Sequence, residues 1–346
     1  MTVDRTVRIG LWGAGMISGA HGAAAAFLQM PIVGVASRSA ERAAEQAGRL
    51  STTALAYDDL PGGAEVVVVS TPPQLHAADT LRLLAAGAAV IVEKPLCTTL
   101  ADADELVAAA AQHDQRVLYA ENLAYAPVVA RLLSMTASLG PLTHMEIRTL
   151  QSLPTWGDFT SDAWGGGALF DLGVHPLALA VLAGGASGAG PVVSVSAALT
   201  GGEGHNSDEH AEVLLTFRSG LVGRVVSSWR AGPAQVWDVQ LSSATGVLRA
   251  DFWPTPTLEH NGDRVPIPAS GLPLPFIEDL GYFGQLQAFA DDIATGRTPF
   301  MDVAFGRLIL DIVCAGYASA GNGGTPEVVP FTGPRDRTPL QLWHGH

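Results

Sequence analysis

The chain has 346 residues, 48% hydrophobic and 15% charged, a globular composition long enough for two cores. A net charge of −14 excludes general nucleic-acid binding, which needs Lys and Arg to neutralise phosphates, and Cys97 and Cys314 alone cannot build a disulfide framework. The first eight residues are polar and not a signal peptide, and the apolar stretch 77–92 is broken by Asp79 and Arg82, so the expectation is a cytoplasmic protein with no membrane partner.

From residue 7 to about 120, short apolar runs alternate with alanine- and leucine-rich segments. Residues 7–12, 32–36, 65–70, 88–92 and 116–119 read as strands; 16–29, 40–48, 74–86 and 100–113 read as helices. Runs such as Val66-Val67-Val68-Val69 lack polar alternation, as strands covered on both faces do. Repeated strand–helix order implies a doubly wound parallel sheet with right-handed crossovers. The pattern then changes. A helix over 127–139 stops at Gly140-Pro141, followed by a strand over 142–150, a glycine-rich loop and a helix after Gly167. Strands predominate over 192–258, with 211–218 and 221–230 reading as a hairpin, and 262–275 reads as a proline-rich surface loop. Helices over 282–294 and 303–320 close the chain. The fold class is therefore α/β: a doubly wound domain over 1–123 and a second domain over 124–346 with an open, mainly antiparallel sheet.

The first strand runs into Gly13-Ala14-Gly15-Met16-Ile17-Ser18. The first glycine permits a tight turn, and the second lets a pyrophosphate approach the backbone. The free N–H groups of Met16 and Ile17 then open a helix toward the anion. Ser18 replaces the third glycine. An NAD site usually closes its second strand with Asp or Glu, roughly 20 residues on. This chain has Ser37 and Arg38 instead, which can donate to a 2′-phosphate that a carboxylate would repel, so NADP is favoured and NAD remains possible. Ser70-Thr71-Pro72-Pro73, with His76, follows the next strand at the edge where open α/β sheets bind ligands.

Glu93-Lys94-Pro95 ends the following strand, and a lysine held there can polarise a substrate oxygen. Taken in isolation, a Glu-Lys pair is better read as a solvated ion pair. Asp171 and His175 are four apart, so on one helix they share a face, and the histidine can exchange a proton near neutral pH. Neither this pair nor His205, Asp208, Glu209 and His210 supplies a convincing metal set; the latter reads as a polar turn before a strand at Ala211.

Taken together, Gly13 to His21, Thr71-Pro72-Pro73 with His76, Glu93-Lys94-Pro95, the run Gly165 to His175, and 288–299 near the C-terminus resemble the Gfo/Idh/MocA oxidoreductase family. The resemblance implies a Rossmann domain followed by a sheet domain that often forms homodimers or homotetramers. It also implies hydride exchange between NAD(P) and a sugar, polyol or related alcohol. It further implies Lys94 and His175 as the catalytic pair, with His175 as acid/base and Asp171 orienting it. Glu93 and Lys94 would line the nicotinamide pocket, Asn122 would contact cofactor or substrate, and the Lys94–Pro95 peptide would be cis. Trp156, Asp158 and Trp164, in the loop before the glycines, are expected to shape the substrate site. Ala178 stands where many polyol dehydrogenases of that family carry Asp, which weighs against an inositol-like substrate. Two other readings remain open: a cofactor-binding regulator without turnover, and a glycosidase using tightly held NAD.

Overall fold

A computed structural model describes residues 7–114, 116–233, 235–268, 271 and 274–345. Part of the polar N-terminal segment and residues 269, 270, 272 and 273 of the expected proline-rich loop lie outside them. The elements in chain order are β1 (Ile9–Trp12), α1 (Met16–Phe27), β2 (Ile32–Ala36), α2 (Ala40–Arg49), β3 (Ala54–Leu55), β4 (Val66–Val69), α3 (Pro73–Ala85), β5 (Ala89–Glu93), α4 (Leu100–Gln112) and β6 (Val117–Ala120). They continue with α5 (Pro127–Leu139), β7 (Leu142–Leu150), α6 (Ala168–Asp171), α7 (Val174–Ala186), β8 (Val192–Gly201), β9 (Asp208–Phe217), β10 (Val222–Ser228), β11 (Val236–Ser243), β12 (Val247–Asp251), β13 (Thr257–His260) and β14 (Asp263–Arg264). Then come α8 (Pro275–Asp279), α9 (Tyr282–Thr295), α10 (Val303–Gly321), β15 (Glu327–Val328) and α11 (Pro339–His344).

Two compact units result. The first comprises Met1–Cys97, Ala101–Tyr125 and Leu274–Arg307; the second comprises Thr98–Leu100, Ala126–Pro273 and Leu308–His346. The sequence boundary at 123/124 assigned 274–307 to the second domain, whereas these residues group with the first unit. The reason is the apolar stripe Tyr282, Leu286 and Phe289 on α9, buried together, with Tyr282 edge-on to His21 of α1.

The first unit holds a six-stranded parallel sheet in the order β3-β2-β1-β4-β5-β6. Every residue of β1, β4, β5 and β6 is buried, as uninterrupted apolar runs require. The chain order reverses between β1 and β4, so the turns after these two strands open at the switch point. β3 has only two residues, too short for a pattern to announce it.

In the second unit a nine-stranded sheet runs β14-β13-β12-β11-β7-β10-β9-β8-β15. Only β7 and β10 pair in parallel; all other neighbours are antiparallel, the expected β9–β10 hairpin included. Helices α5, α6 and α7 pack on one face of it. The other face carries a lattice of ion pairs: Arg148 with Asp238, Arg224 with Glu146 and Glu212, and Arg230 with Glu209. Helix α10 is long and apolar enough to span a membrane by length and composition, yet 67% of that stretch is buried inside the fold, as in a core helix.

Candidate active site

At the end of β1, Gly13 adopts φ +127°, and a Cβ there would stand 2.6 Å from Ser70 Oγ and 2.8 Å from Ser70 O, so only glycine fits. Gly15 caps α1 without any side-chain hydrogen bond, the first turn holds no acidic residue, and a Cβ at Gly15 would meet nothing within 4 Å. The N–H groups of Met16 and Ile17 have no intrahelical partner by position, and no acidic side chain of the helix's first turn competes for them. This geometry fits a diphosphate. Ser18, the departure from a third glycine, is buried and donates its hydroxyl to Gly13 O at 2.9 Å, which pins the turn.

At the end of β2, Ser37 Oγ accepts the Ser39 N–H at 3.3 Å, leaving its own proton to donate, and Ser39 Oγ in turn caps α2 by accepting the Arg42 N–H at 3.2 Å. Arg38 is exposed, and no carboxylate closes the strand. After β4, Thr71 Oγ1 donates to Asp79 Oδ2 at 2.7 Å, Pro72 caps α3 and Pro73 opens it. His76, expected among the cofactor contacts, is buried with Nδ1 2.8 Å from Pro95 O and Nε2 2.6 Å from Thr71 O. Both ring nitrogens therefore face the backbone, and the side chain braces the Thr71 loop against the Lys94-Pro95 turn. Burial pushes this imidazole below its ordinary pKa, against the two carbonyls, which favour the cation.

After β5 the Lys94–Pro95 peptide is cis, as the resemblance implied. Glu93 is 5% exposed and has both oxygens engaged: Oε1 lies 2.7 Å from His21 Nε2, and Oε2 accepts the Lys94 N–H at 3.1 Å. Lys94 itself is half-buried. Asn122 is buried in a short 3-10 turn and donates Nδ2 to Leu280 O at 2.6 Å. Glu93, His76 and Asn122, all expected to meet cofactor, thus commit polar atoms to holding the protein together.

In the second unit the Asp171–His175 pair differs from its expected form. Asp171 ends α6 and His175 lies in α7, and the helical axes of 162–171 and 174–186 meet at 46°. Ala168 O accepts the N–H groups of both Leu172 and Gly173 at 2.9 Å, a doubled acceptor that interrupts the regular ladder, and Pro176 has no N–H to restore it. Both side chains are buried, each 5% exposed.

The glycine run is anchored from a place that the sequence reading misjudged. Asp208 is not in a polar turn; it begins β9 and is fully buried. Its carboxylate accepts the Gly167 N–H at 3.1 Å, the Leu169 N–H at 2.9 Å and the Tyr317 hydroxyl. The Tyr317 hydroxyl oxygen Oη also accepts the Gly167 N–H at 2.8 Å. The approach is so close that a Cβ on Gly167 would lie 2.2 Å from Asp208 O. His205 and Glu209 pair with each other at 3.2 Å, and His210 lies 3.6 Å from Glu212. Among the described residues no group of three His, Cys, Asp or Glu is placed to hold a metal ion.

The tryptophans expected to shape the substrate site form an aromatic run. Phe159 stands 4.8 Å from Trp156, 4.6 Å from Trp164 and 6.3 Å from Trp229, ring centre to ring centre. Trp237 packs against this cluster and lies 5.7 Å from the His175 ring. The sequence reading missed Trp237 and Trp229; an aromatic residue in a strand gives no local sign that it will face a histidine 62 positions away.

Residues 7–121 match an oxidoreductase family with an NAD-binding Rossmann fold, and residues 130–249 match the GFO/IDH/MocA C-terminal domain. The chain belongs to the Gfo/Idh/MocA family. It is an oxidoreductase with an NAD-binding Rossmann domain. A trans-1,2-dihydrobenzene-1,2-diol dehydrogenase of Sus scrofa is 25% identical over 321 residues, covering 89% of this chain and 95% of that protein. A dTDP-3,4-didehydro-2,6-dideoxy-alpha-D-glucose 3-reductase of Streptomyces violaceoruber is 33% identical over 165 residues, 43% of this chain and 45% of that one. The same fold is seen in GenD2 from gentamicin A biosynthesis, solved in complex with NAD, with a TM-score of 0.83 at 22% identity over 95% of this chain and 98% of that one.

Proposed function

We propose that this protein is an NADP-preferring dehydrogenase or reductase of a sugar, polyol or related cyclic alcohol or ketone, working in the cytoplasm. The observation that carries the reading is the carboxyl edge of the parallel sheet. There the uncapped α1 terminus follows β1, and the Lys94 turn follows β5, separated by β4 alone. The sugar-nucleotide and cyclic-diol relatives support the substrate class, and a chain with only two cysteines fits a reducing compartment.

Gly13, Gly15, Met16 and Ile17 bind the diphosphate through the backbone, with Thr71 and Pro72 shaping the neighbouring wall. Ser37 and Arg38 bind the 2′-phosphate, as a hydroxyl proton and a guanidinium suit a dianion. GenD2 holds NAD, and NAD is the weaker alternative for this chain. The nicotinamide ring supplies the hydride donor or acceptor. Lys94 holds the substrate oxygen and offsets charge as it develops, while His175 takes or returns the hydroxyl proton with Asp171 orienting it. Trp156, Trp164 and Trp237 offer flat apolar faces to a sugar ring. The open face of the nine-stranded sheet, with its alternating charges and exposed Leu214 and Val222, serves self-association as a dimer or tetramer.

Turnover of a panel of sugars, sugar nucleotides and polyols, followed through the nicotinamide absorbance, tests the reading. Activity with at least one, abolished by Lys94→Met, is expected. Tight NADPH binding with no turnover of any panel member refutes it in favour of a regulator.

A further inference from the structure

Glu93 is a carboxylate at the end of a buried strand, where an ion without partners costs far too much free energy to be kept. Its two oxygens have different jobs. Oε2 accepts the N–H of Lys94 at 3.1 Å, fixing the backbone from which the lysine side chain springs. Oε1 faces Nε2 of His21 at 2.7 Å. His21 is fully buried, and its Nδ1 has no hydrogen-bond partner among the described residues, so Nε2 is the nitrogen that carries the hydrogen and donates it to Glu93. Against the imidazole stands Tyr282 of α9, ring centres 5.3 Å apart and planes at 87°. Burial first, then the negative charges of Glu93 and Glu121, hold the Tyr282 phenol well above its ordinary value, so it stays protonated and adds no second anion to the cluster.

His21 sits on α1, the helix whose open N-terminus follows the Gly13 turn. One helix thus ends at the diphosphate-facing turn and, less than two turns further on, grips the carboxylate that fixes Lys94. We propose that His21 is a positioning residue: through Glu93 it sets the backbone of Lys94, and it ties that lysine to the same helix that meets the cofactor. This inference rests on the reading of Lys94 as the group that holds the substrate oxygen. Without the His21 donor, Oε1 is left buried and unpaired; Glu93 turns away to find another donor, and the Lys94 N–H loses its acceptor.

The experiment compares wild type with His21→Leu, His21→Gln and Lys94→Met. The measurements are kcat and KM for the best substrate at saturating cofactor, the NADPH dissociation constant by nicotinamide fluorescence, and Tm. His21→Leu is expected to lower kcat by about 100-fold, the cost of a roughly 1 Å misplacement of a reacting group, while NADPH affinity changes little. His21→Gln, whose amide can reach Glu93 as Nε2 does, is expected to restore at least about tenfold of that loss. If the leucine variant does not fold, His21→Asn serves, being polar but too short to reach Oε1, with the same loss expected. Near-wild-type kcat in His21→Leu or His21→Asn overturns the inference. So does a loss of kcat that merely follows a loss of NADPH affinity and Tm and is not restored by glutamine. Undiminished turnover in Lys94→Met sinks the reading of Lys94 itself, whereas an inactive Lys94→Met beside an active His21→Leu removes only the role of His21.

Discussion

Replacing Asp208 with alanine removes an acceptor on which three donors converge: the N–H groups of Gly167 and Leu169 and the hydroxyl of Tyr317. Hydrogen bonds to a charged group contribute about 1.5–3 kcal/mol each, so the gross loss is roughly 5–9 kcal/mol. Against this stands the desolvation of a fully buried carboxylate, several kcal/mol that the alanine no longer incurs. The Gly167 N–H also keeps the Tyr317 hydroxyl oxygen as an acceptor, while that of Leu169 is left without one. The net expectation is a cost of about 3–5 kcal/mol, in the range seen when one member of a buried ionic set is removed. For a unit of this size that lowers Tm by on the order of 10 °C. Tryptophan fluorescence during urea unfolding is a suitable assay, because Trp156, Trp164, Trp229 and Trp237 all lie in the second unit and report its transition. Asp208→Asn, which keeps the shape and one acceptor, is expected to lose only about 1–2 kcal/mol. The reasoning fails if alanine costs less than about 1 kcal/mol, the level of an ordinary surface change, or if asparagine costs as much as alanine.

The same carboxyl group gives a pH test. Burial raises its pKa above the ordinary 3.8, despite the Tyr317, Leu169 and Gly167 donors that pull it down, so the folded state binds more protons than the unfolded one between 3.8 and the raised value. The stability margin of wild type over Asp208→Asn should therefore narrow as pH rises through that interval and stay constant above it; a margin that widens contradicts the burial argument. Arg38→Ala is expected to weaken NADP binding by about 10- to 100-fold, the loss of one charge-assisted contact, and to leave NAD binding unchanged in calorimetry. Equal weakening of both cofactors would count against a 2′-phosphate role. Gly15→Ala should leave Tm unaltered, since its Cβ meets nothing within 4 Å, yet weaken cofactor binding by placing a methyl group on the phosphate's approach. Unchanged affinity would put the diphosphate elsewhere.

Much of the first unit was legible because its main strands are apolar runs and α1, α3 and α9 begin at glycine or proline. What a strand packs against was less so. Helix α9 shows its apolar period clearly, but a period says that a face is buried and not which core buries it, and 274–307, which the 123/124 boundary puts in the second domain, groups with the first unit. The Asp171–His175 spacing could not reveal a break at Leu172 and Gly173, since four-residue spacing is the same on one helix or across a bend. The Glu93-Lys94-Pro95 turn was visible from its own residues. Its support was not: His21 and Glu93 are 72 positions apart, and Asp208 and Tyr317 are 109 apart. A lone buried histidine or aspartate carries no local sign of its partner, which is why Asp208 reads from sequence as part of a polar turn.

The two units solve one problem in the same way. Glu93 and Asp208 are both buried carboxylates, each accepting a backbone N–H from the segment that presents a proposed reactive residue and each held by one side chain of a helix, His21 on α1 and Tyr317 on α10. A charged acceptor costs more to bury than an amide, but it binds backbone N–H groups more strongly and leaves fewer alternative arrangements in a low-dielectric interior. That exchange favours a fixed backbone where the position of a proton or a substrate oxygen sets the rate. It also separates positions that can change from those that cannot. Arg38, Trp156 and Trp237 are wholly or partly exposed, so on the function proposed above variation in cofactor and substrate preference is expected at them. Substitution at His21, Glu93, Asp208 or Tyr317 instead frees a backbone segment, and its effect on rate should be nearly the same for every substrate the enzyme accepts.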